Sequence, residues 1–231
     1  MKMIFILFSS ILALAAANST PDSDQVPAEF GEYGNYGQYG SYDKYPEVSL
    51  PSTATPPTPS AFPNTFVAVT TRSGNTKLHL RPVSASNLNF YIGKETSTYC
   101  PLSDCTGFVK FTVFDAQPNN STSGLSLFTT VPGGQLIYVT KDGQLGYTQA
   151  HSAFIPADAK TVPFLYAPNA EPGSVGTLTF NGGGWMACPV EKPDDVFQIY
   201  SQNTPGFIRK DCTSVNIVTA VYNGNSAWQY V

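Results

Sequence analysis

The sequence QLIYVTKDGQLGYT, residues 135–148, carries the clearest structural signal in this chain. Two short apolar runs, Gln135–Thr140 and Gln144–Thr148, flank the dipeptide Asp142-Gly143. Glycine accepts the positive φ that a tight hairpin turn requires, so this arrangement predicts two antiparallel strands joined at Asp142-Gly143.

The same arrangement recurs along the chain from Pro63 to Val231. A second turn signal, Asn181-Gly182, separates Leu178–Phe180 from Trp185–Cys188, and no segment shows a long helical period. Other short apolar runs predict strands at Phe66–Thr70, Asn89–Ile92, Val109–Phe114, Leu125–Thr130, Val196–Tyr200 and Val215–Val221. Many short strands separated by turns predict one all-β domain, residues 63–231, built as a compact barrel or sandwich, with a trefoil-like barrel as a further arrangement.

The segment TKLHLRPV, residues 76–83, alternates between apolar and polar residues. It therefore predicts one more strand, with Leu78 and Leu80 on one face and His79 on the solvent side.

Residues 1–17 read as a secretory signal peptide. Lys2 precedes the apolar run Ile4–Leu14, and Ala15-Ala16-Ala17 resembles a cleavage site. The run is shorter than the roughly 20 residues that span a bilayer. The sequence thus predicts export, with no membrane partner after signal cleavage.

Residues 18–62 differ in composition from the rest of the chain. The Tyr/Gly repeat GEYGNYGQYGSYDKY precedes the Pro/Ser/Thr-rich SLPSTATPPTPSAFP, and the segment holds six carboxylates and one lysine. Such composition predicts a disordered arm followed by an extended stalk. The arm could be a sticky or cross-linkable tail, through its phenols, or a spacer.

The charge of the β domain argues against a nucleic-acid partner. From Pro63 onward the chain has ten acidic and ten basic side chains, without a basic cluster, although the whole chain has a net charge of −4.

The four cysteines are an even number in a chain predicted to be exported, which favours disulfides. Of the three pairings, Cys100–Cys105 and Cys188–Cys212 are preferred, because each pair is close in sequence and bracketed by turn residues. The spacing CPLSDC is too wide for a zinc knuckle.

His151, one of two histidines, stands beside Ser152 in GYTQAHSAF, residues 146–154. Neighbours in an extended chain point to opposite faces, and the chain has no G-x-S-x-G nucleophile motif. A histidine that fixes a turn by hydrogen bonds to the backbone is therefore preferred to a triad with Asp142. No residue pattern selects a catalytic carboxylate pair, a metal site or a cofactor site, so no catalytic residue, metal or cofactor is predicted.

Two kinds of carbohydrate site are suggested by residue type. Tyr147 and Trp185 are candidate sugar-contact platforms, although a place in the core is the alternative for both. The sequence Asn119-Asn120-Ser121-Thr122 contains overlapping N-glycosylation sequons at Asn119 and Asn120.

The sequences LHLRPVSASNLNFYIG, GGQLIYV, KDGQLGYTQAHSA and GWMACP resemble a fungal family of small secreted cell-wall proteins. The family is typified by phiA-like phialide-development proteins, and some members are described as IgE-binding. The resemblance runs from about Phe66 to Cys212, and Gly146–Ser152 is its most specific part. It implies an extracellular, wall-associated and non-enzymatic protein, and it supplies no catalytic residues.

The leading hypothesis is thus a secreted fungal cell-wall or surface protein with a structural role. The alternatives are a carbohydrate-binding module for wall polysaccharide and a wall-acting hydrolase. The expected partners are wall polysaccharides or wall proteins, and the sequence does not assign an oligomeric state.

Overall fold

The computed structural model describes residues 64–169, 171, 174–190 and 195–231. The predicted signal peptide (1–17) and the predicted arm and stalk (18–62) lie outside these residues. No helix in the described part is long and apolar enough to cross a membrane.

The described residues form fifteen β-strands, which confirms the all-β prediction. The strands are β1 Thr65–Thr71, β2 Arg81–Pro82, β3 Ser84–Ser86, β4 Asn89–Ile92, β5 Thr98–Tyr99, β6 Phe114–Ala116, β7 Leu125–Leu127, β8 Gln135–Val139, β9 Leu145–Tyr147, β10 Phe164–Ala167, β11 Gly176–Phe180, β12 Trp185–Pro189, β13 Phe197–Ser201, β14 Thr213–Val221 and β15 Gln229–Tyr230.

Nine of these strands pair edge to edge in a closed ring, so the domain is a barrel. The order is β1-β14-β12-β13-β4-β9-β8-β7-β6 and back to β1, with every pair antiparallel. Strands β2 and β3 and the β10–β11 hairpin attach to the ring, and β5 pairs with β15 in a small second sheet. This order shows no threefold repeat of one hairpin unit.

The predicted hairpin at Asp142-Gly143 is present. Gly143 has a φ of 90°, and the Thr140 N–H donates to the Gln144 carbonyl at 2.9 Å. Strands β8 and β9 then pair with Ile137 opposite Tyr147. The Asn181-Gly182 turn also forms, but β11 and β12, which it joins, do not pair with each other as a hairpin. Both β11 and β12 pair with β14 instead.

The strand predicted in TKLHLRPV is wrong over its first half. The Asn75 carbonyl accepts hydrogen bonds from the N–H groups of Leu78 and His79, at 3.1 and 2.8 Å, which coils residues 76–80 into turns. Leu78 is buried as predicted, whereas Leu80 has a φ of 56° and is 65% exposed. His79 faces solvent as predicted, and its Nδ1 accepts the Arg72 N–H at 3.2 Å.

The core contains a continuous row of five aromatic rings. Tyr166 stacks on Phe66, with ring centroids 4.1 Å apart, and Phe66 stacks on Phe114 at 5.3 Å. Phe90 contacts Phe114 at 5.6 Å and Tyr147 at 5.3 Å. None of the five is more than 1% exposed, so each contributes roughly 1.5–3 kcal/mol by burial.

Two buried tyrosines provide a matched test of this interior. The Tyr230 hydroxyl accepts the Val113 N–H at 2.9 Å and donates to the Phe111 carbonyl at 3.0 Å. The Tyr166 hydroxyl has no hydrogen-bond partner within the described ranges. We expect Tyr230→Phe to lower the free energy of unfolding by roughly 1–3 kcal/mol, because the Val113 N–H is left buried and unpaired. Tyr166→Phe should be neutral or stabilising.

Equilibrium urea denaturation of both variants checks this expectation. Equal losses of stability in the two variants would contradict the hydrogen-bond assignment.

Burial also raises the pKa of Tyr230. The folded state therefore holds its phenolic proton more tightly than the unfolded state, whose tyrosine pKa is about 10. When the denaturation is repeated across pH, the Tyr230 contribution to stability, taken as the difference between wild type and Tyr230→Phe, should be constant below that pH and decline above it.

Candidate functional site

The two predicted sugar platforms, Tyr147 and Trp185, are both fully buried, so that prediction is wrong. The Trp185 Nε1–H donates to the Leu178 carbonyl at 2.7 Å inside the barrel. The Tyr147 hydroxyl donates to the Val231 carbonyl at 3.2 Å. Both residues occupy inward positions of their strands, β12 and β9, where aromatic size fills the core.

His151 lies on an exposed turn and has a φ of 61°. The turn closes through a hydrogen bond from the Ser152 N–H to the Gln149 carbonyl at 3.1 Å, and the Ser152 Oγ accepts the Phe154 N–H at 3.2 Å. The turn that the sequence predicts at His151 is therefore present. The proposed hydrogen bonds from the imidazole are not among those formed by the described residues, and the shallow depression beside His151 is lined by no carboxylate.

Outward-facing residues of β4 and β13 form a different surface. In β4, Phe90 and Ile92 point into the core, which places Asn89 and Tyr91 outside. In β13, Ile199 points inward, which places Gln198 and Tyr200 outside. The alternation follows from the strand period of two, since successive side chains point to opposite faces.

Strand pairing brings these side chains together. Gln198 lies directly opposite Tyr91 across the β4–β13 ladder, and Gln144 forms a bridge with Tyr200. The Tyr200 hydroxyl donates to the Gln198 Oε1 at 3.2 Å, and the Gln144 Nε2 donates to the Asn89 Oδ1 at 2.5 Å. We refer to Asn89, Tyr91, Gln144, Gln198 and Tyr200 as the tyrosine–amide face.

A cation accompanies each tyrosine of this face. The Lys94 Nζ lies 4.4 Å from the Tyr91 ring centroid, and the Arg209 Cζ lies 5.6 Å from that of Tyr200. Desolvation raises the pKa of Tyr91, so the phenol stays neutral and keeps its hydroxyl as a donor.

Two polar contacts hold the Arg209 side chain in place. Its guanidinium pairs with Asp211 at 2.6 Å and donates to the Pro189 carbonyl at 3.0 Å. Hydrogen bonding to Arg209 holds the pKa of Asp211 below its usual range, and both groups stay charged at neutral pH.

Both predicted disulfides are formed, Cys100–Cys105 and Cys188–Cys212. The second ties β12 to the residue just before β14, and so closes the loop that carries Phe207 and Arg209 toward Tyr200. The covalent link and the Arg209–Pro189 hydrogen bond therefore hold one side of the tyrosine–amide face.

The two sequon asparagines differ in their surroundings. Asn119 is exposed, with a φ of 55°. Asn120 is half-buried, and its Oδ1 accepts the N–H and the hydroxyl of Thr122 at 3.0 and 2.7 Å. Their glycosylation stays a prediction.

Chemically, the tyrosine–amide face combines flat apolar rings with amide donors and acceptors. Aromatic side chains present an apolar body with a polar tip, which suits a ligand that has both C–H faces and hydroxyls. Side-chain amides can both donate to and accept from hydroxyl groups. This is the composition expected of a surface that contacts sugars.

Sequence alternation alone could have identified these residues. In NFYI and FQIYS the apolar residues Phe90, Ile92 and Ile199 mark the inner face, which assigns Tyr91 and Tyr200 to the outer one. That the two tyrosines lie on neighbouring strands could not be read in the same way, because β4 and β13 are far apart in the sequence.

A family model described as PhiA-like secreted protein matches residues 66–231. A protein from Arthroderma benhamiae described as an uncharacterized secreted protein is 34% identical over 193 residues, which cover 77% of this chain and 91% of that protein. No solved structure matches. The family match confirms the predicted resemblance and extends it from Cys212 to Val231.

Proposed function

The chain belongs to the PhiA-like secreted proteins, and from that premise we propose that it is a non-catalytic protein held in the fungal cell wall by carbohydrate contacts of its tyrosine–amide face. Secretion follows from the family. The wall location, the carbohydrate ligand and the lack of catalysis are the proposal. It joins two functions that the sequence suggested separately, a structural wall protein and a carbohydrate-binding module.

The observation that carries the proposal is that Tyr91 and Tyr200 lie on the outer face of adjacent strands, with Gln198 opposite Tyr91 and hydrogen-bonded to the Tyr200 hydroxyl. The backbone ladder fixes the positions from which the two tyrosines project, and the hydrogen bond to Gln198 holds the Tyr200 hydroxyl before a ligand arrives. A preorganised surface loses less conformational entropy on binding than a flexible one. An extended polymer laid along the face could use both rings and the three amides together.

The Lys94 ammonium lies over the Tyr91 ring and has to move aside before a sugar can stack there. A cation–π contact at an exposed site is worth about 0.5–1 kcal/mol, and a lysine side chain rotates freely. The displaced ammonium can then donate to the hydroxyls of the bound sugar.

The non-catalytic part of the proposal is supported by the surroundings of His151. The Ser152 hydroxyl that follows it is used in a turn, and the adjacent depression offers apolar groups and Thr148 rather than an acid. A hydrolase would need two carboxylates across a cleft or a nucleophile within reach of its base.

Sedimentation with insoluble wall polysaccharide tests the proposal. The double variant Tyr91→Ala/Tyr200→Ala should bind β-glucan or chitin particles about tenfold more weakly than the wild-type chain, since each aromatic contact contributes roughly 0.5–1.5 kcal/mol. The measurement is the fraction of full-length secreted protein that pellets as the particle concentration rises.

Tyr99→Ala/Tyr222→Ala is the matched control, because it removes two tyrosines that lie outside the face. Tyr99 is 53% exposed on β5, and Tyr222 packs against Phe111. The control should bind like wild type. Unchanged binding of the face variant, or equal losses in both variants, would contradict the proposed site.

A further inference from the structure

A wide groove of about 1040 Å³ lies on the barrel surface beside β1 and β2. Its apolar lining includes Val67 and Val69, the outward residues of β1, together with Pro82 and Phe111. The hydroxyl residues Ser84, Thr96, Ser97, Thr98 and Thr112 also line it. We refer to it as the cationic groove, because its charged residues are mainly basic.

Three basic residues and one acidic residue line this groove. Arg81, Lys94 and Lys110 face it together with Glu95. Within the part of the chain that the structure describes, none of these four side chains forms an ion pair, whereas Arg209 and Asp211 do. The β domain as a whole is neutral, so the excess of positive charge here is local. Unneutralised cations that line one concave surface attract anionic groups.

The cationic groove is continuous with the tyrosine–amide face. Lys94 lines the groove, and its ammonium lies over the Tyr91 ring. Strand β4 ends at Ile92, immediately after Tyr91, and the next residue, Gly93, already lines the groove. A polymer that crosses Tyr91 therefore meets Lys94 and then the other two cations.

We propose that the cationic groove binds acidic substituents, carboxylates or phosphates, of the same polysaccharide whose sugar rings contact the tyrosine–amide face. This inference rests on the proposed function and specifies its ligand as an anionic rather than a neutral glycan. The ammonium and guanidinium groups pair with the acidic substituents, the hydroxyl residues exchange hydrogen bonds with sugar hydroxyls, and the aliphatic floor contacts ring C–H groups.

A polysaccharide fits this surface better than an acidic protein does. The lining combines cations with hydroxyl side chains such as Ser97 and Thr98, and through Lys94 it adjoins a second polar aromatic surface. A protein interface would instead be expected to centre on a desolvated apolar cluster. Binding of an acidic polypeptide is therefore an outcome that the experiment has to distinguish.

Isothermal titration calorimetry on the full secreted chain tests the proposal with four soluble probes. Laminarin is the neutral glycan, polygalacturonate supplies carboxylates, phosphomannan supplies phosphates, and poly-glutamate is an acidic chain without sugars. At low salt we expect at least one acidic glycan to bind about tenfold more tightly than laminarin, and the difference to vanish near 1 M salt, where the Debye length is about 3 Å. Whichever of the two acidic glycans shows the preference identifies the anion.

Charge variants assign the effect to the groove. Arg81→Gln/Lys110→Gln should weaken binding of the acidic glycan about fivefold and leave laminarin unchanged, since two ionic contacts are lost while Lys94 beside Tyr91 is kept. Lys77→Gln/Lys141→Gln removes the same charge from exposed positions outside the groove and should change neither. An equal effect of both double variants would show a non-specific charge effect and overturn the proposal.

The remaining outcomes separate this inference from the proposed function. If laminarin and both acidic glycans bind equally, and the tyrosine variant loses all of them, the carbohydrate face stands and the anionic groove is wrong. If the acidic preference follows the groove cations while the tyrosine variant is unaffected, the proposed face is wrong. Binding of poly-glutamate as tight as that of the acidic glycans would contradict a glycan ligand for the groove.

Discussion

Replacing Phe66 by alanine is expected to lower the free energy of unfolding by about 4 kcal/mol, within the range typical of buried Phe→Ala changes. Phe66 is fully buried within the aromatic row, between Tyr166 and Phe114. It also lies on β1, which pairs with both β14 and β6 where the ring closes. The substitution therefore leaves a cavity at the point where the first and last parts of the domain meet.

Urea denaturation followed by far-UV circular dichroism measures this effect. Phe154→Ala is the control, because Phe154 is 75% exposed and its removal should change the unfolding free energy by less than about 0.5 kcal/mol. If Phe66→Ala proved as mild as Phe154→Ala, the aromatic row would not be the core of the barrel.

Removal of the Cys188–Cys212 disulfide is expected to cost about 3 kcal/mol, and removal of Cys100–Cys105 about 2 kcal/mol. The two bonds join residues 24 and 5 positions apart. A longer closed loop restricts the unfolded chain more, so its loss raises the entropy of the unfolded state further. Cys188 is also fully buried in β12, next to the barrel core.

The double alanine variants of each pair, denatured under identical non-reducing conditions, provide the comparison. Cys100→Ala/Cys105→Ala is the matched control, because it removes the same number of sulfur atoms at the short loop. A larger loss from the short loop than from the long one would contradict the assigned pairing or the loop-length argument.

The features that the sequence predicts well are those with local causes. The Asp142-Gly143 turn needs only a residue that tolerates positive φ between two apolar runs, and both disulfides join cysteines that are near in sequence. The all-β class follows from the same repeated pattern. The strand predicted through Leu80 failed because the Asn75 carbonyl captures two nearby N–H groups, an alternative that apolar alternation does not register.

The candidate site depends on contacts that no local pattern contains. Tyr91 and Gln198 become neighbours only because β4 pairs with β13 across more than a hundred residues of chain. Tyr147 and Trp185 were chosen for their aromatic character, yet size and strand phase place them inside. Tyr91 and Tyr200 could have been identified from their outward positions in the alternation of strand residues, but not from their being aromatic.

The distribution of the secreted protein between cell wall and culture medium tests the central claim most directly. Wild type and Tyr91→Ala/Tyr200→Ala, expressed at equal levels in the same fungal host, would be quantified by immunoblot in washed walls and in medium. We predict that wild type stays with the wall fraction and that the variant moves to the medium while it remains folded. Wild type found only in the medium, or a folded variant retained in the wall like wild type, would contradict attachment through the tyrosine–amide face.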